Sequence, residues 1–284
     1  QGVLPYAIGP LAEKLAGHDT VLVVGAPVFR YYPHIPGEYV PAGSRLLHIT
    51  DDPDEAARAP VGDSLVGDAA LACATLATLL PAIDRPLPPP RSAPPQPEMG
   101  TPLSPDALFA TLARDWPRDG VLVLESPSNL SALRRRLHIN RPGSYFTTAS
   151  GGLGFGLPAS VGIALAERHT GRGRPVIAVI GDGSFQYSVQ ALWTAAQHRL
   201  PVVYVVPVNG QYTILKAFAD HEGAPDVPGL DLPGLDIPTI AAGFGCTARW
   251  VESPDDLVDA IKTGLAADRP TVLAVPITGD VPPL

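Results

Sequence analysis

The sequence predicts an α/β protein made of two doubly wound parallel-sheet domains that are joined by a proline-rich linker. Strand-like runs of apolar and β-branched residues alternate with helix-like segments on both sides of that linker. Most of these runs contain no alternating polar residues, as expected for strands that helices cover on both faces. The hydrophobic content of 45% in a chain of 284 residues supplies enough material for buried cores and excludes a disordered chain.

The first domain is predicted over residues 1–84, where short strands and helices alternate. Segment 20–26 is a β-branched run that ends in Gly25 and Ala26, which is typical of a buried strand followed by a turn. Strands that alternate with helices favour parallel pairing, because each helix returns the chain to the starting end of the sheet. The predicted strands are 20–26, 45–50 and 64–66, and the predicted helices are 11–17, 53–58 and 69–80.

A proline-rich segment separates the two alternating regions. Nine of the twenty residues from Pro86 to Pro105 are proline, and this composition favours extended polyproline II over a helix or a central strand. We therefore predict a linker over residues 85–105, with a proline-rich motif for binding a partner protein as the alternative.

The second domain is predicted over residues 106–284 and repeats the alternation more regularly. Its last helix has clear start signals, with Ser253 as N-cap, Pro254 in the first turn and two aspartates after it. The predicted strands are 121–126, 175–181, 201–207, 246–251 and 271–277, and the predicted helices are 153–168, 185–198 and 254–267.

Composition and charge exclude several classes of protein. The formal net charge is −8 and the longest basic cluster is the run of arginines at 134–136, so no nucleic-acid partner is expected. No apolar run reaches the ~20 residues of a membrane-spanning helix, so no membrane partner is expected, and no signal-peptide pattern opens the chain. Cys73 and Cys246 do not have metal-ligand spacing and are predicted to pack as small apolar groups, as in a cytoplasmic protein.

Gly181-Asp182-Gly183-Ser184 carries the densest chemical signal, because it stands directly between a predicted strand and a predicted helix. In a parallel sheet this point is the carboxyl end of a strand, where open α/β sheets bind ligands. The glycines allow close approach of a phosphate, and the start of the following helix offers unpaired N–H groups. The Asp182 carboxylate would repel a phosphate unless a divalent cation lay between them, so the pattern predicts a Mg²⁺ ligand.

Asn209-Gly210-Gln211 follows the next predicted strand of the same domain. If the two strands are neighbours, Asn209 emerges beside Asp182, and its amide oxygen is a suitable Mg²⁺ ligand. A main-chain carbonyl near Gln211 would then be a third ligand. Gly-Asp-Gly and Asn-Gly are also common turns, which is the alternative interpretation. Their occurrence together, after two successive strands, favours a site.

The same residues resemble the thiamine diphosphate motif of the 2-keto acid decarboxylase superfamily. Within it the chain is similar to the benzoylformate decarboxylase family over essentially its whole length, including the stretches VLVVGAPVFRYYPHIPGEY, PGSYFTTASGGLGFGLPA, VIAVIGDGS and VPGLDLPGLD. The resemblance implies a subunit with pyrimidine-binding, middle and diphosphate-binding domains, of which this chain matches the last two. In that family the pyrimidine-binding domain supplies a glutamate that contacts the cofactor's aminopyrimidine, and no residue of this chain is assigned that role.

Carried over residue by residue, the resemblance implies thiamine diphosphate and Mg²⁺ as cofactors. The implied metal ligands are Asp182, Asn209 and the main-chain carbonyl of Gln211. Leu153 matches the apolar residue that bends the cofactor, and Ser128 matches a residue near its aminopyrimidine. The implied cofactor-binding residues are Ser128, Leu153, Gly181, Gly183, Ser184, Asn209, Tyr212 and Thr213, and the implied substrate pocket comprises Thr147, Ile214, Leu215 and Phe218.

Some positions depart from the pattern of the family. The histidine that assists proton transfer falls at Tyr32, and a tyrosine with a reference pKa of ~10 is a poorer acid–base group near neutrality than a histidine at ~6.5. His34 is the alternative acid–base group if the loop is shifted. The first asparagine of an Asn-Asn pair is Val208 here, Thr213 replaces a glycine, and Pro207 is expected to end its strand early.

The predicted function is thiamine-diphosphate- and Mg²⁺-dependent decarboxylation of an aromatic or branched 2-keto acid, with or without joining of aldehydes into an acyloin. One alternative is a carboligase or lyase of the same superfamily, which Tyr32 favours. Another is a catalytically silent binding or assembly module, which Val208 and Thr213 favour. The predicted partners are a 2-keto acid or aldehyde substrate and a pyrimidine-binding domain or subunit, in a homo- or hetero-oligomer of the cytoplasm.

Overall fold

The computed structural model describes residues 8–29, 37–84, 92–148 and 151–281, which form two compact units that divide between residues 92 and 93. Each unit is built on a sheet whose strands are all parallel, so the predicted α/β class is confirmed. The predicted domain limits remain a prediction. Leu103, which we placed in the linker, is buried and forms a parallel bridge with Ile277 of the second unit.

The first unit has three strands and three helices among its described residues. They are β1 (Thr20–Val24), β2 (Arg45–Thr50), β3 (Asp63–Val66), α1 (Ile8–Leu15), α2 (Pro53–Arg58) and α3 (Ala69–Leu79). The strands pair in the order β1-β2-β3. Carboxylates begin two of the helices, because Asp52 accepts the first N–H groups of α2 and Asp68 accepts the N–H of Leu71 in α3.

α3 is an apolar helix that lies on the surface of this unit. Its sequence AALACATLATL contains no buried residue, and the side chains of Leu71 and Leu79 are 70% and 73% exposed. Strand β3 at the edge of the sheet has no buried residue either. The described part of the first unit therefore packs its core from other elements, with Leu11 of α1 and Ile49 of β2 among the buried side chains.

The second unit contains the larger sheet. Its strands are β4 (Val121–Glu125), β5 (Tyr145–Thr147), β6 (Val176–Ile180), β7 (Val202–Val208), β8 (Thr247–Trp250) and β9 (Thr271–Pro276). Its helices are α4 (Pro105–Arg114), α5 (Leu130–Arg136), α6 (Gly156–His169), α7 (Asp182–Phe185), α8 (Ala191–Gln197), α9 (Thr213–His221), α10 (Ile237–Gly243) and α11 (Pro254–Leu265).

Helices cover both faces of this sheet, which has the strand order β5-β4-β6-β7-β9-β8. Successive residues of β4 point into two separate cores because side chains alternate along a strand. Leu122 and Leu124 pack in the core that α4, α5 and α11 complete. Val121 and Val123 pack in the core that α6, α8 and α10 complete. The apolar strands therefore bury both of their faces, as their sequences predict.

The chain changes direction across the sheet between β4 and β6. From β4 it continues through α5 to β5 on one side, and from β6 it continues through α7 and α8 to β7 on the other side. α5 packs in one core, whereas α7 and α8 pack in the other, so the two connections cover opposite faces. Such a switch point opens a crevice at the carboxyl ends of the two strands, where open α/β sheets bind ligands.

Three predicted helices differ clearly from the structure. The helix predicted at 11–17 forms at Ile8–Leu15. The helix predicted at 153–168 begins at Gly156, since Gly154 adopts a φ of +101°, which a helix does not allow. The helix predicted at 185–198 is divided into α7, a 3-10 turn and α8. The arginines at 134–136, which we expect in a surface helix, form the last turn of α5. The sequence prediction missed α4, α9, α10 and strand β5.

Two expectations about single residues are wrong. Pro207 does not end its strand, because β7 continues to Val208 and Pro207 stands opposite Val275 of β9. Cys73 is exposed rather than packed, whereas Cys246 is buried, and its burial raises the pKa of its thiol to about 12. None of the described helices combines the length and the apolar character that crossing a membrane requires.

Ion pairs to the buried Glu167 stabilise the carboxyl end of α6. The Glu167 side chain accepts hydrogen bonds from Arg174 at 2.6 Å and from Arg172 at 3.0 Å, and Arg174 also donates to the hydroxyl of Ser144. The hydrogen bond from Arg174 is the largest of the effects that lower the pKa of Glu167 from 4.5 to about 2, against the opposing effect of burial. Glu167 therefore links the last turns of α6 to the segment that enters β6.

We expect Glu167→Gln to destabilise the second unit in a pH-dependent manner. The folded-state pKa lies below the ordinary value, so the stabilisation is fully present above pH 4.5 and is lost as the pH falls toward about 2. Urea unfolding of the parent and the variant at pH 7 and at pH 3 measures this difference. A gap between the two midpoints that stays the same at both pH values would contradict the assignment.

Candidate cofactor site

The candidate site lies at the switch point, where β4 and β6 end side by side. Glu125 is opposite Ile180 in the register of these strands, and the N–H of Gly181 donates to the carbonyl of Glu125 at 2.9 Å. Ser126 and Asp182 follow directly and are both buried. The predicted neighbour relation of β6 and β7 is also confirmed, so the residues after Val208 reach the same edge of the sheet.

Asp182 is 4% exposed and is surrounded by main-chain donors. Its Oδ1 accepts the N–H of Gly183 at 2.8 Å, and its Oδ2 accepts those of Asn209 at 3.0 Å and Gly210 at 2.7 Å. Burial raises the pKa of the Asp182 carboxyl, and these N–H groups oppose that increase. A carboxylate offers about four acceptor positions. The donors from neighbouring residues take two positions on Oδ2 and one on Oδ1.

The side chain of Asn209 is oriented by Thr213. The amide Nδ2 donates to the Thr213 hydroxyl at 2.6 Å, and the amide Oδ1 accepts the N–H of Gln211 at 3.2 Å. Gly210 has a φ of +70°, a conformation that glycine adopts without strain and that turns the chain back toward Asp182. Thr213 is 1% exposed, so it supports Asn209 from within the fold. These contacts fix the side chain of the residue whose main-chain N–H binds Asp182.

The Gln211 side chain is fixed by a polar network that the sequence did not reveal. Lys216 Nζ donates to the Gln211 Oε1 at 2.5 Å and to Asp231 Oδ1 at 2.6 Å, while Gln211 Nε2 donates to the carbonyl of Gly279 at 2.6 Å. The main chain of Gln211 also forms an antiparallel bridge with Asp231. These contacts fix the peptide whose carbonyl we predicted to bind the metal.

The surface around Gly181 and Gly183 carries hydroxyl groups. A Cβ atom at Gly181 would lie 3.5 Å from the Oγ of Ser126 and 3.7 Å from the Oγ of Ser184, so both hydroxyls converge there. A Cβ atom at Gly183 would overlap the ring of Tyr212, which therefore packs directly against the main chain. This surface, beside Asp182, has donors suited to a diphosphate.

The predicted substrate pocket residues lie near the same edge of the sheet. The N–H of Ile214 donates to the Ser128 Oγ at 3.1 Å, which joins the turn after β4 to the start of α9. Ile214 and Phe218 are partly buried, whereas Leu215 is 45% exposed. Thr147 ends β5, and its hydroxyl donates to the carbonyl of Leu124 in the neighbouring strand.

The remaining predicted site residues have different outcomes. Leu153 is partly buried and lies three residues before α6, outside any helix. Tyr32 and His34 lie outside the described residues, so their roles stay predictions. Sequence reasoning also missed Glu125 and Ser126. Their position at the end of a completely buried strand was the available signal, because polar residues there face the ligand-binding edge.

The chemistry of the site fits a hard divalent cation and a diphosphate. The described residues include no cluster of three or more histidine, cysteine or acidic side chains, but the predicted ligand set does not require one. One carboxylate, one amide oxygen and one main-chain carbonyl are oxygen ligands, as Mg²⁺ prefers, and diphosphate oxygens would complete the coordination. The buried Asp182 carboxylate, which has no cation partner among the described residues, supports this fit.

Comparisons with known proteins identify relatives of this chain. The family model described as thiamine pyrophosphate enzyme, C-terminal TPP binding domain, matches residues 128–275. The chain is 49% identical to the benzoylformate decarboxylase of Pseudomonas aeruginosa, over 97% of this chain and 52% of that protein. It is 34% identical to an acetolactate synthase of Bacillus subtilis, over 44% of this chain and 21% of that protein.

A solved structure shares the whole fold of the chain. The crystal structure of benzoylformate decarboxylase from Polynucleobacter necessarius matches with a TM-score of 0.97 and 44% identity. The match covers 100% of this chain and 54% of the chain in that structure. The chain spans about half the length of the curated relatives that it matches over nearly its full extent.

We expect Asp182→Ala to abolish Mg²⁺-dependent binding of thiamine diphosphate while the fold is retained. The substitution removes the only charged candidate ligand among the described residues at this site. Asn209→Ala should weaken binding less, because it removes a neutral ligand. Calorimetric titration of cofactor with and without Mg²⁺ measures both effects, and circular dichroism controls for folding. Equal affinity in the Asp182 variant and the parent would disprove the metal assignment.

We expect Lys216→Met to weaken Mg²⁺ binding roughly tenfold, as is typical when a residue that supports a metal ligand is removed. The substitution keeps an apolar stem of similar length but removes the donor to Gln211 Oε1 and leaves Asp231 without its cation. Lys262→Met is the matched control, because Lys262 pairs with Asp115 on the surface. The same metal affinity in both variants would show that the network does not position Gln211.

Proposed function

The chain belongs to the thiamine pyrophosphate enzymes, whose C-terminal cofactor-binding domain spans its residues 128–275, and we propose that it anchors the cofactor of a benzoylformate decarboxylase-like enzyme. The proposed substrate is an aromatic or branched 2-keto acid, which is converted with a proton into an aldehyde and CO₂. The observation that carries this proposal is the buried Asp182, held beside Asn209 by main-chain N–H groups at the switch point of the sheet.

The cofactors of this proposal are thiamine diphosphate and Mg²⁺. Asp182, Asn209 and the carbonyl of Gln211 would hold the metal ion, and Gly183 with Ser184 would receive the diphosphate. When bound, thiamine diphosphate supplies the electron sink that loss of CO₂ from a 2-keto acid requires. The protein's share of the chemistry is to position this group and to control its surroundings.

The proposed site residues divide this work between polar and apolar groups. Ser128, Leu153, Gly181, Tyr212 and Thr213 are proposed to support the cofactor, directly or through Asn209. The apolar side chains of α9 would exclude water from the keto acid and accept an aryl or branched group. The proposed pocket residues are Thr147, Ile214, Leu215 and Phe218. Tyr32 and His34 remain candidates for proton transfer.

A complete site in this proposal needs a second domain. We infer that a pyrimidine-binding domain, in the same polypeptide or on another subunit of a homo- or hetero-oligomer, provides the carboxylate that contacts the aminopyrimidine. The chain's match to about half the length of its relatives supports this inference. A reducing, cytoplasmic location is consistent with the free thiols of Cys73 and Cys246.

Two alternatives rest on particular residues. A carboligase or lyase of the same superfamily is favoured by Tyr32, which stands where the resemblance implies a histidine. A catalytically silent module is favoured by Val208, because the family's asparagine pair is reduced to Asn209 alone. The hydrogen bond between Asn209 and Thr213 weighs against the silent module, since it holds the surviving amide in one orientation.

We expect the chain to decarboxylate benzoylformate only when a pyrimidine-binding domain is supplied. The test mixes the 284-residue chain with the part of the Pseudomonas aeruginosa relative that it does not cover, and it measures benzaldehyde and acyloin with thiamine diphosphate and Mg²⁺. Aldehyde should form in the mixture, and not from the chain alone or after chelation.

Three results would change this proposal. Robust turnover by the chain alone would show that it supplies the missing carboxylate itself. Acyloin as the main product would favour the carboligase. Absence of Mg²⁺-dependent cofactor binding would favour the silent module.

A further inference from the structure

Glu125 is a buried carboxylate whose partners are main-chain N–H groups. It is the last residue of β4 and is 2% exposed. Its Oε1 accepts the N–H of Gly154 at 2.7 Å, and its Oε2 accepts the N–H of Gly156. Among the described residues no cationic side chain forms an ion pair with it. The negative charge is therefore held by two hydrogen bonds and by the start of α6.

The main chain of Glu125 also contacts the candidate metal site. Its carbonyl accepts the N–H of Gly181 at 2.9 Å, one residue before Asp182. One residue thus connects the turn that bears Asp182, through its main chain, to the turn that bears Leu153, through its side chain. Because β4 and β6 are neighbours at the switch point, both turns face the same crevice.

The turn around Leu153 is held from its other side as well. The Ser188 hydroxyl donates to the carbonyl of Gly154 at 2.7 Å, so both polar groups of the Gly154 main chain are engaged. Gly154 has a φ of +101°, and a Cβ atom at Gly156 would overlap the side chain of Ile180 and crowd Glu125. Glycine is therefore required at both positions. The absence of side chains there lets the Glu125 carboxylate approach both N–H groups closely.

We propose that Glu125 is a positioning residue that clamps the turn 153–156 and thereby places Leu153 against bound thiamine diphosphate. This inference rests on the proposed function, which assigns Leu153 to the cofactor. A carboxylate suits the task because both of its oxygens accept and neither donates, as two adjacent N–H groups require. A glutamine at this position presents one acceptor and one NH₂ group, so one of the glycine N–H groups loses its partner.

A simpler role for Glu125 is to stabilise the start of α6. The experiment has to distinguish this role from the positioning of Leu153. Leu153 would support the organic part of the cofactor, whereas Asp182 and the glycines would bind its diphosphate. Loss of the clamp should therefore weaken binding of thiamine diphosphate but leave binding of inorganic pyrophosphate with Mg²⁺ unchanged. A general loss of helix stability would weaken both equally.

The experiment compares Glu125→Gln with Glu167→Gln in the 284-residue chain. Glu167 is a buried glutamate at the opposite end of the same helix and has no contact with the proposed site. We titrate thiamine diphosphate and pyrophosphate separately, each with Mg²⁺, and we measure amide exchange at Gly154 and Gly156. In Glu125→Gln the ratio of the two affinities should fall roughly tenfold, equivalent to one charge-assisted hydrogen bond, and both amides should exchange faster. Glu167→Gln should leave the affinity ratio unchanged and should not accelerate these two amides more than the other amides of α6.

Each result decides the proposal. An unchanged affinity ratio in Glu125→Gln, or an equal loss for both ligands, overturns it. If the parent binds neither ligand, the proposed function has failed, and amide exchange alone decides whether Glu125 clamps the turn. If Glu125→Gln does not fold, Ser188→Ala is measured in the same way, because it releases the other tie on Gly154.

Discussion

Two buried carboxylates that are solvated by main-chain N–H groups determine the geometry of the candidate site. An ionised carboxylate loses several kcal/mol of hydration when it is buried, and only donors held in place by the fold reduce that loss. Asp182 receives three such donors and Glu125 receives two. Because each donor belongs to a turn, these carboxylates fix the turns after β6 and β7 and the turn before α6 relative to one another.

A feature of the fold or the site is predictable from the sequence when the residues that determine it are close together in the chain. The buried strands of the second unit are predictable because short apolar runs between turn residues are typical of strands covered on both faces. Asp182 and Asn209 are predictable because each directly follows such a strand. Glu125 was missed because a single glutamate after an apolar run also suits an exposed turn, and only its partners 29 and 31 residues away show its burial. Leu153 was placed in a helix because apolar periodicity does not show the positive φ of Gly154.

The contacts of Thr213 and Val208 show how the structure accommodates these departures from the family pattern. Thr213 replaces a glycine, yet its hydroxyl accepts a hydrogen bond from the side-chain amide of Asn209, so the larger side chain helps to fix that amide in one orientation. Val208 replaces an asparagine but ends β7 in a regular pair with Pro276 of β9. Pro207 is accommodated within the same pairing. The substitutions therefore alter the side chains around the strand end and leave its course unchanged.

Association that covers the exposed apolar surface of α3 would depend on temperature differently from the hydrogen bonds of the candidate site. Water released when such a surface is covered makes that contact entropy-driven near room temperature, and the contact weakens on cooling. Any assembly that buries Leu71 and Leu79 is consequently looser in the cold, whereas the hydrogen bonds around Asp182 do not share this dependence. Cooling is then expected to loosen association through α3, whereas added salt is expected to weaken the binding of charged ligands in the second unit.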